Sequence, residues 1–382
     1  MTEWTLAPIA RPWIRTLQRL ALRWKADRPR ANRTGFVPGI SAGPTPPITL
    51  DSSFRSLRRL PQLAPVSDWF VYSPLLPMKL GVWFGTLRSA ERRGSVPGAD
   101  AVRQGLQRMV DLSDAGVQLG HDLYTTAEKR ADPGKAQTKL FHFPAAPGAR
   151  FAIVCAGGAY AGVGSLVEGF PVAARLNALG YHAFVLSYRV LREARFPQPA
   201  DDLAAAVRFV LDRADEFGVD PDHYAVAGFS AGGHLAGAWG TRHLGHPRYG
   251  LPGPGALLLG YPALALSRAD DGRGRHLERF FFRNLLGRGY SQADKNRVDV
   301  VLHVHPEYPP TYLWHCRDDT TVPVAGAELM VDALTAHGVP HQFRVAERGG
   351  HGIGLGDATD ASGWLDEAVA FWRTARETAP GT

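Results

Sequence analysis

The chain has 382 residues, 45% of them hydrophobic and 21% charged, with 42 Gly, 29 Pro and a net charge of +7. That mixture excludes a disordered chain, which would be poorer in apolar residues, and a fibrous one, which would repeat. Two cysteines, Cys155 and Cys316, exclude a disulfide framework and a four-thiolate zinc site, and both read as buried thiols in strands.

The positive charge is confined to one end. Residues 1–60 hold 11 Lys and Arg against 3 Asp and Glu, leaving 32 against 33 for the rest of the chain. Arg11, Arg15, Arg19 and Arg23 recur every fourth residue, with Leu17, Leu20 and Leu22 among them, so residues 12–25 read as a short basic amphipathic helix. This spacing leaves no continuous apolar core for a secretory signal, and a cytoplasmic location is the expectation. The arm is read as a solvated extension, with peripheral contact to an anionic membrane surface as the functional alternative; nucleic acid is not an expected partner. The stretch 69–87 (WFVYSPLLPMKLGVWFGTL) is interrupted by Pro74, Pro77, Lys79 and Gly81. It is expected to pack on the main domain or line its pocket, not to span a membrane.

In chain order, residues 1–137 form a basic, proline-broken extension packing on or near the rest, its structure expected to be helical, with 99–124 reading as a helix. From 138 to 382 the texture becomes short apolar runs alternating with amphipathic stretches. Residues 151–156 (FAIVCA) read as a strand, 170–179 as a helix, 182–188 as a strand and 201–217 as a helix. The last of these opens on Asp201 and Asp202, where the helix dipole favours acid. Strands follow at 224–228, 256–261, 311–315 and 342–345, with helices at 231–240, 328–337 and 364–375. Residues 263–309, including 277–286 (LERFFFRNLL), read as a small cap. Strands alternating with helices imply an α/β fold, a mostly parallel sheet with helices on both faces. Its chemistry belongs beyond the carboxyl ends of the strands.

The third strand runs into Gly228-Phe229-Ser230-Ala231-Gly232-Gly233, a G-x-S-x-G pattern between strand and helix that lifts Ser230 clear of the backbone as a nucleophile. A serine needs a base, and the base an orienting acid, in the chain order Ser, acid, His. The strand at 311–315 leads to Asp318 and Asp319, followed by Val322-Pro323. Asp319 is the expected acid on its spacing to Val322; Asp318 is the rival, with turn capping as its other role. His351, set among Gly349, Gly350 and Gly352 after a late strand, is the expected base. For the oxyanion, the amides of Gly158 and Ala159 after the first strand and of Ala231 after the nucleophile are the candidate donors. The pairs His243/His246 and His303/His305 have no carboxylate or thiol nearby to complete a metal set, and neither metal nor organic cofactor is called for.

Together these residues resemble the α/β-hydrolase superfamily, and more narrowly the bacterial esterase/lipase branch that includes acetyl-xylan and related carbohydrate esterases. The motifs carrying the resemblance run from about 138 to 375: Gly157-Gly158-Ala159-Tyr160 with Glu168-Gly169, Ser187-Tyr188-Arg189, GFSAGGHL from Gly228, PPTYLWH from Pro309, Asp318 to Pro323, and GHGIG from Gly350. The sequence departs from the pattern at Ala156 and Ala159, where relatives often have Pro or His and a third Gly, and in the unmatched first 137 residues. The resemblance implies a serine carboxylic-ester hydrolase with a Ser230-Asp319-His351 triad, acting on short-acyl, acetyl-type esters of carbohydrates or small alcohols. A lipase-like carboxylesterase for longer acyl chains is the alternative. A non-catalytic binding protein of hydrolase fold is the reading from another class.

Overall fold

The computed structural model describes residues 46–73, 85–191, 195–268 and 275–375. The expected basic helix at 12–25, with its membrane contact, and residues 74–84 of the apolar stretch lie outside the described residues. Among those described, strands β1 (Gly120–His121), β2 (Lys139–Phe143), β3 (Ala149–Cys155), β4 (His182–Ser187), β5 (Val219–Phe229), β6 (Ala256–Gly260), β7 (Thr311–Cys316) and β8 (His341–Ala346) form one sheet in the order β1-β2-β4-β3-β5-β6-β7-β8. The pairs β1–β2 and β2–β4 are antiparallel and the remaining five parallel. The inner strands read as unbroken apolar runs because both their faces are covered; β4 and β6 are buried at every position.

One face is covered by α1 (Ala99–Asp114), α2 (Ser165–Glu168), α3 (Phe170–Ala178) and the closing α9 (Trp364–Thr374). On the other lie α4 (Gln198–Leu211), α5 (Ser230–Trp239), α6 (Arg275–Leu286), α7 (Gln292–Val298) and α8 (Ala325–Ala336). Cys155 and Cys316 are buried free thiols in β3 and β7.

The compact unit holding this sheet runs over Pro47–Thr382, so the change of texture near residue 138 marks no break in the core. Phe54, Leu57, Leu63, Phe70, Leu106 and Met109 are buried in the same cluster as Phe170, Trp364 and Trp372. At about 1.5–3 kcal/mol for each such side chain, burial outweighs the exposed ion pairs of this region, which are worth about 0–1 kcal/mol each. Where α1 crosses α3, a Cβ on Gly105 would stand 2.8 Å from the Pro171 backbone nitrogen, so glycine permits the close approach.

Two expectations are corrected, and one element of the sheet was not anticipated. The helix expected over 99–124 stops at Asp114, because Gly116 N–H bonds the Ser113 carbonyl and Val117 N–H the Leu112 carbonyl, a capping pattern that frees the chain to enter β1. The antiparallel edge, β1 and β2, was hidden by the brevity of the one and the polar ends of the other. Asp202 does not serve the helix dipole. It is buried, accepts the Tyr124 hydroxyl, and with Asp132 holds the buried Arg189, whose guanidinium lies 2.9 Å from it and 2.8 Å from Asp132.

Beside that edge, His142 of β2 stacks on Phe184 at 4.4 Å and bonds His182 through Nε2 at 3.3 Å. Burial, with the neighbouring His182 and His121, pushes His142 from 6.5 down to about 3. The unfolded chain therefore binds a proton that the native chain refuses, and stability contributed by neutral His142 is full above pH 6.5 and lost as pH falls toward about 3. In urea unfolding the midpoint is expected to drop between pH 7 and pH 4, and to drop less in His142→Phe. An equal drop in the variant would refute this assignment.

Candidate active site

Ser230 opens α5 with a φ of 51°, the left-handed region that non-glycine residues avoid at a cost of about 1–2 kcal/mol. The turn survives because nothing occupies its flanks. A Cβ on Gly228 would overlap the Gly232 carbonyl, and one on Gly232 would overlap the Cys155 carbonyl of β3. The G-x-S-x-G spacing thus follows from the closeness of β5, α5 and β3.

The structure brings Ser230, His351 and Asp319 into hydrogen-bonding reach of one another, with Ala231 next to Ser230 in α5 and Gly157, one residue before Gly158, close to Ser230. Ser230 Oγ lies 2.9 Å from His351 Nε2, and His351 Nδ1 lies 2.6 Å from Asp319 Oδ2. Asp319 accepts only, so the imidazole carries its proton on Nδ1 and offers Nε2 as acceptor to the serine hydroxyl. Asp319 follows β7, and its Oδ1 accepts the amides of Thr321 and Val322 at 2.8 and 2.9 Å. The Val322-Pro323 spacing is therefore a physical feature: the turn supplies the carboxylate's backbone donors.

Burial would raise the Asp319 carboxyl, but hydrogen bonds from His315 and His351 and their charge prevail and bring it down to about 2. Asp318 takes a different part, accepting the amides of Gly349 and Gly350 and so fixing the loop that presents His351.

Gly158, with a φ of 136°, and Ala159, at 51°, follow Gly157, the residue of this loop that closes on Ser230. Among the described residues no acceptor engages either amide, and the Ala231 amide is one of the first-turn donors that an α-helix leaves unpaired. The loop is gripped from several sides. Asn284 of α6 donates to the Ala159 carbonyl at 3.0 Å, and Phe281 stacks edge-on against Tyr160 at 5.3 Å. Tyr160 Oη meets His234 Nδ1 at 2.8 Å. From the N-terminal region Tyr72 pairs with Val163 in a backbone bridge, and the Phe70 carbonyl accepts the Leu166 amide. Phe70 and Tyr72 thus pack against the loop, and α6 braces it.

Sequence reasoning missed His315. Buried in β7, it donates from Nε2 to the Val322 carbonyl at 2.9 Å and to Asp319 Oδ2 at 3.2 Å. Both neighbours accept only, so Nε2 carries the proton. A polar ring in an otherwise apolar strand, four residues before the acid, was the available signal.

Residues 144–246 match the family model BD-FAE, and 280–377 that of the prolyl oligopeptidase family. The crystal structure of an acetyl ester-xyloside bifunctional hydrolase from Caldicellulosiruptor lactoaceticus superposes with a TM-score of 0.58 at 29% identity, covering 67% of this chain and 95% of that one. An acetylxylan esterase of Xylanibacter ruminicola is 29% identical over 235 residues, 59% of this chain and 45% of that protein. These matches support the α/β-hydrolase esterase family. A further relative, endo-1,4-beta-xylanase B of Butyrivibrio fibrisolvens, is 29% identical over 218 residues, 55% of this chain and 33% of that one. The chain therefore spans between a third and a half of the length of these two curated relatives.

Gly157 separates Ser230 from Glu168: a Cβ there would stand 2.7 Å from Ser230 Cβ and 2.9 Å from Glu168 Oε2. In Gly157→Ala the protein is expected to lose about 1–3 kcal/mol in urea unfolding, the usual cost of overpacking, together with most of the labelling of Ser230 by a fluorophosphonate, a probe that phosphonylates activated serines. Wild-type stability and labelling would contradict the close approach.

Proposed function

We propose that the protein is a serine carboxylic-ester hydrolase for short-acyl esters, with acetylated carbohydrate as the substrate class. The observation that carries this reading is the continuous relay from Ser230 Oγ through His351 to Asp319, with the serine held in a left-handed turn at the start of α5.

Ser230 Oγ attacks the ester carbonyl carbon while its proton passes to His351 Nε2. The carbonyl π pair moves onto oxygen, which the amides of Gly158, Ala159 and Ala231 receive; one such fixed donor is worth about 3–4 kcal/mol at the transition state. Collapse breaks the bond to the alcohol oxygen, which takes the proton from His351 and leaves an acyl ester on Ser230. Water then attacks that ester and gives a proton to His351. The second collapse releases the carboxylic acid and returns the proton to Ser230 Oγ. Asp319 holds the imidazole in the required tautomer and stabilises its cation without being protonated itself.

Two observations support the short-acyl reading. Ala159 puts a methyl group into the loop beside Ser230, and Phe281 and Phe282 of α6 are buried in packing instead of lining an open acyl groove. The names of the acetylxylan esterase and the acetyl ester-xyloside hydrolase point the same way.

A ladder of p-nitrophenyl esters from acetate to palmitate tests the reading. Turnover should fall steeply beyond butyrate and vanish in Ser230→Ala. A maximum at octanoate or longer would favour the lipase-like alternative, and full activity in Ser230→Ala would remove the nucleophile. The two aspartates separate cleanly on the same assay. Asp319→Asn is expected to lower kcat by about ten-thousand-fold through the wrong tautomer. Asp318→Asn, which keeps one acceptor for the Gly349 and Gly350 amides, should cost less than about tenfold. The reverse ranking would reassign the acid.

A further inference from the structure

A second carboxyl group stands at the site with no part in the steps above. Glu168, the last residue of α2, is buried, and each of its oxygens serves a different loop. Oε2 accepts the Gly157 amide at 2.6 Å, at the start of the oxyanion loop. Oε1 accepts the Tyr261 hydroxyl at 2.8 Å, and that hydroxyl accepts the Gly354 amide at 2.9 Å, three residues past His351. The Tyr261 ring stands 4.9 Å from the His351 imidazole, edge to face. The helix also touches the histidine loop directly, since a Cβ on Gly354 would overlap the Val167 carbonyl.

Oε2 takes the Gly157 N–H and Oε1 the Tyr261 O–H, so in this arrangement both oxygens of Glu168 act as acceptors, as those of a carboxylate do. The titratable groups whose charge reaches it are His351, Tyr261 at the end of β6 and Tyr188 after β4. Burial raises its pKa, while attraction to His351 and the bonds from Tyr261 and Gly157 oppose the rise. On the far side His351 faces Asp319, which His315 also holds. The imidazole therefore lies between two acidic groups, one in contact and one acting across the oxyanion loop.

We propose that Glu168 is a positioning residue that ties the oxyanion loop to the histidine loop and places a second negative charge beside the imidazolium formed when Ser230 gives up its proton. Such a tie keeps donor and base in register, so that the amides meet the oxyanion as His351 takes the proton. The assignment rests on the serine-hydrolase reading, and the test is arranged to separate the two.

The experiment follows a fluorophosphonate probe, which labels an activated serine without any substrate being known, alongside p-nitrophenyl acetate turnover, both against pH. Folding is checked by circular dichroism. In Glu168→Gln, labelling and kcat are expected to fall about tenfold or more with KM little changed. The acid limb of the rate profile should move to lower pH by about one unit, because the imidazolium has lost a counter-charge. In Tyr261→Phe the rate should fall while the acid limb stays, because the link is cut but the charge remains. A folded Glu168→Gln with unchanged rate, or with a slower rate and an unmoved acid limb, overturns the proposal. Should that variant fail to fold, undiminished rate in Tyr261→Phe overturns it. Absence of labelling in the wild type overturns the nucleophile reading and this one together.

Discussion

The carbonyl of Cys155, at the end of β3, and the first turn of α5 approach so closely that only glycine fits at position 232. This contact sets the rest of the site. It forces Ser230 into the left-handed region, lifts its hydroxyl off the sheet and aims the helix's unpaired amides at the same space. It also fixes where the oxyanion loop must lie, because that loop leaves β3 one residue later. The strain at Ser230 is offset by the parallel pairing of β3 with β5 and of β5 with β6, which holds both strand ends while the turn is made.

Electrostatics is layered on that frame. Asp319 can remain charged in a buried place because two backbone amides and two imidazoles surround it. Asp318, next in the chain and exposed, spends its charge on backbone amides of the histidine loop instead. Adjacent residues of one type thus divide two jobs, orienting the base and shaping the loop that carries it. The remaining loop contacts come from regions far apart in sequence: Asn284 from one side and the Phe70 to Tyr72 backbone from the other.

What was legible in the sequence were features that local chemistry dictates. The strands over 151–156, 182–188, 256–261 and 311–315 stand out because a strand buried on both faces must be apolar throughout, and each was placed within two residues of its observed limits. Ser230, Asp319 and His351 stand out because their turns need glycine, or backbone donors two and three residues on. What escaped depends on contacts that no window of sequence contains. Asp202 looks like a helix-start acid until Arg189 and Tyr124 are seen around it. The edge strand β1 is two residues long and exists only because β2 offers it a partner. His315 looks like an ordinary strand residue until β7 sets it over Asp319.

The backbone bridge between Tyr72 and Val163, and the burial of Phe54, Leu57 and Phe70 with Trp364 and Trp372, also bear on how the protein is made. Synthesis runs from the N-terminus, so these early residues leave the ribosome long before their partners exist. The loop at 161–166 follows by some ninety residues, and the closing helix α9 by about three hundred. Until α9 is delivered, that face of the sheet lacks its cover and the apolar surface of residues 47–73 has no complete site to occupy. A nascent chain keeps that apolar surface uncovered until α9 has been made, and exposed surface of this kind is where aggregation begins.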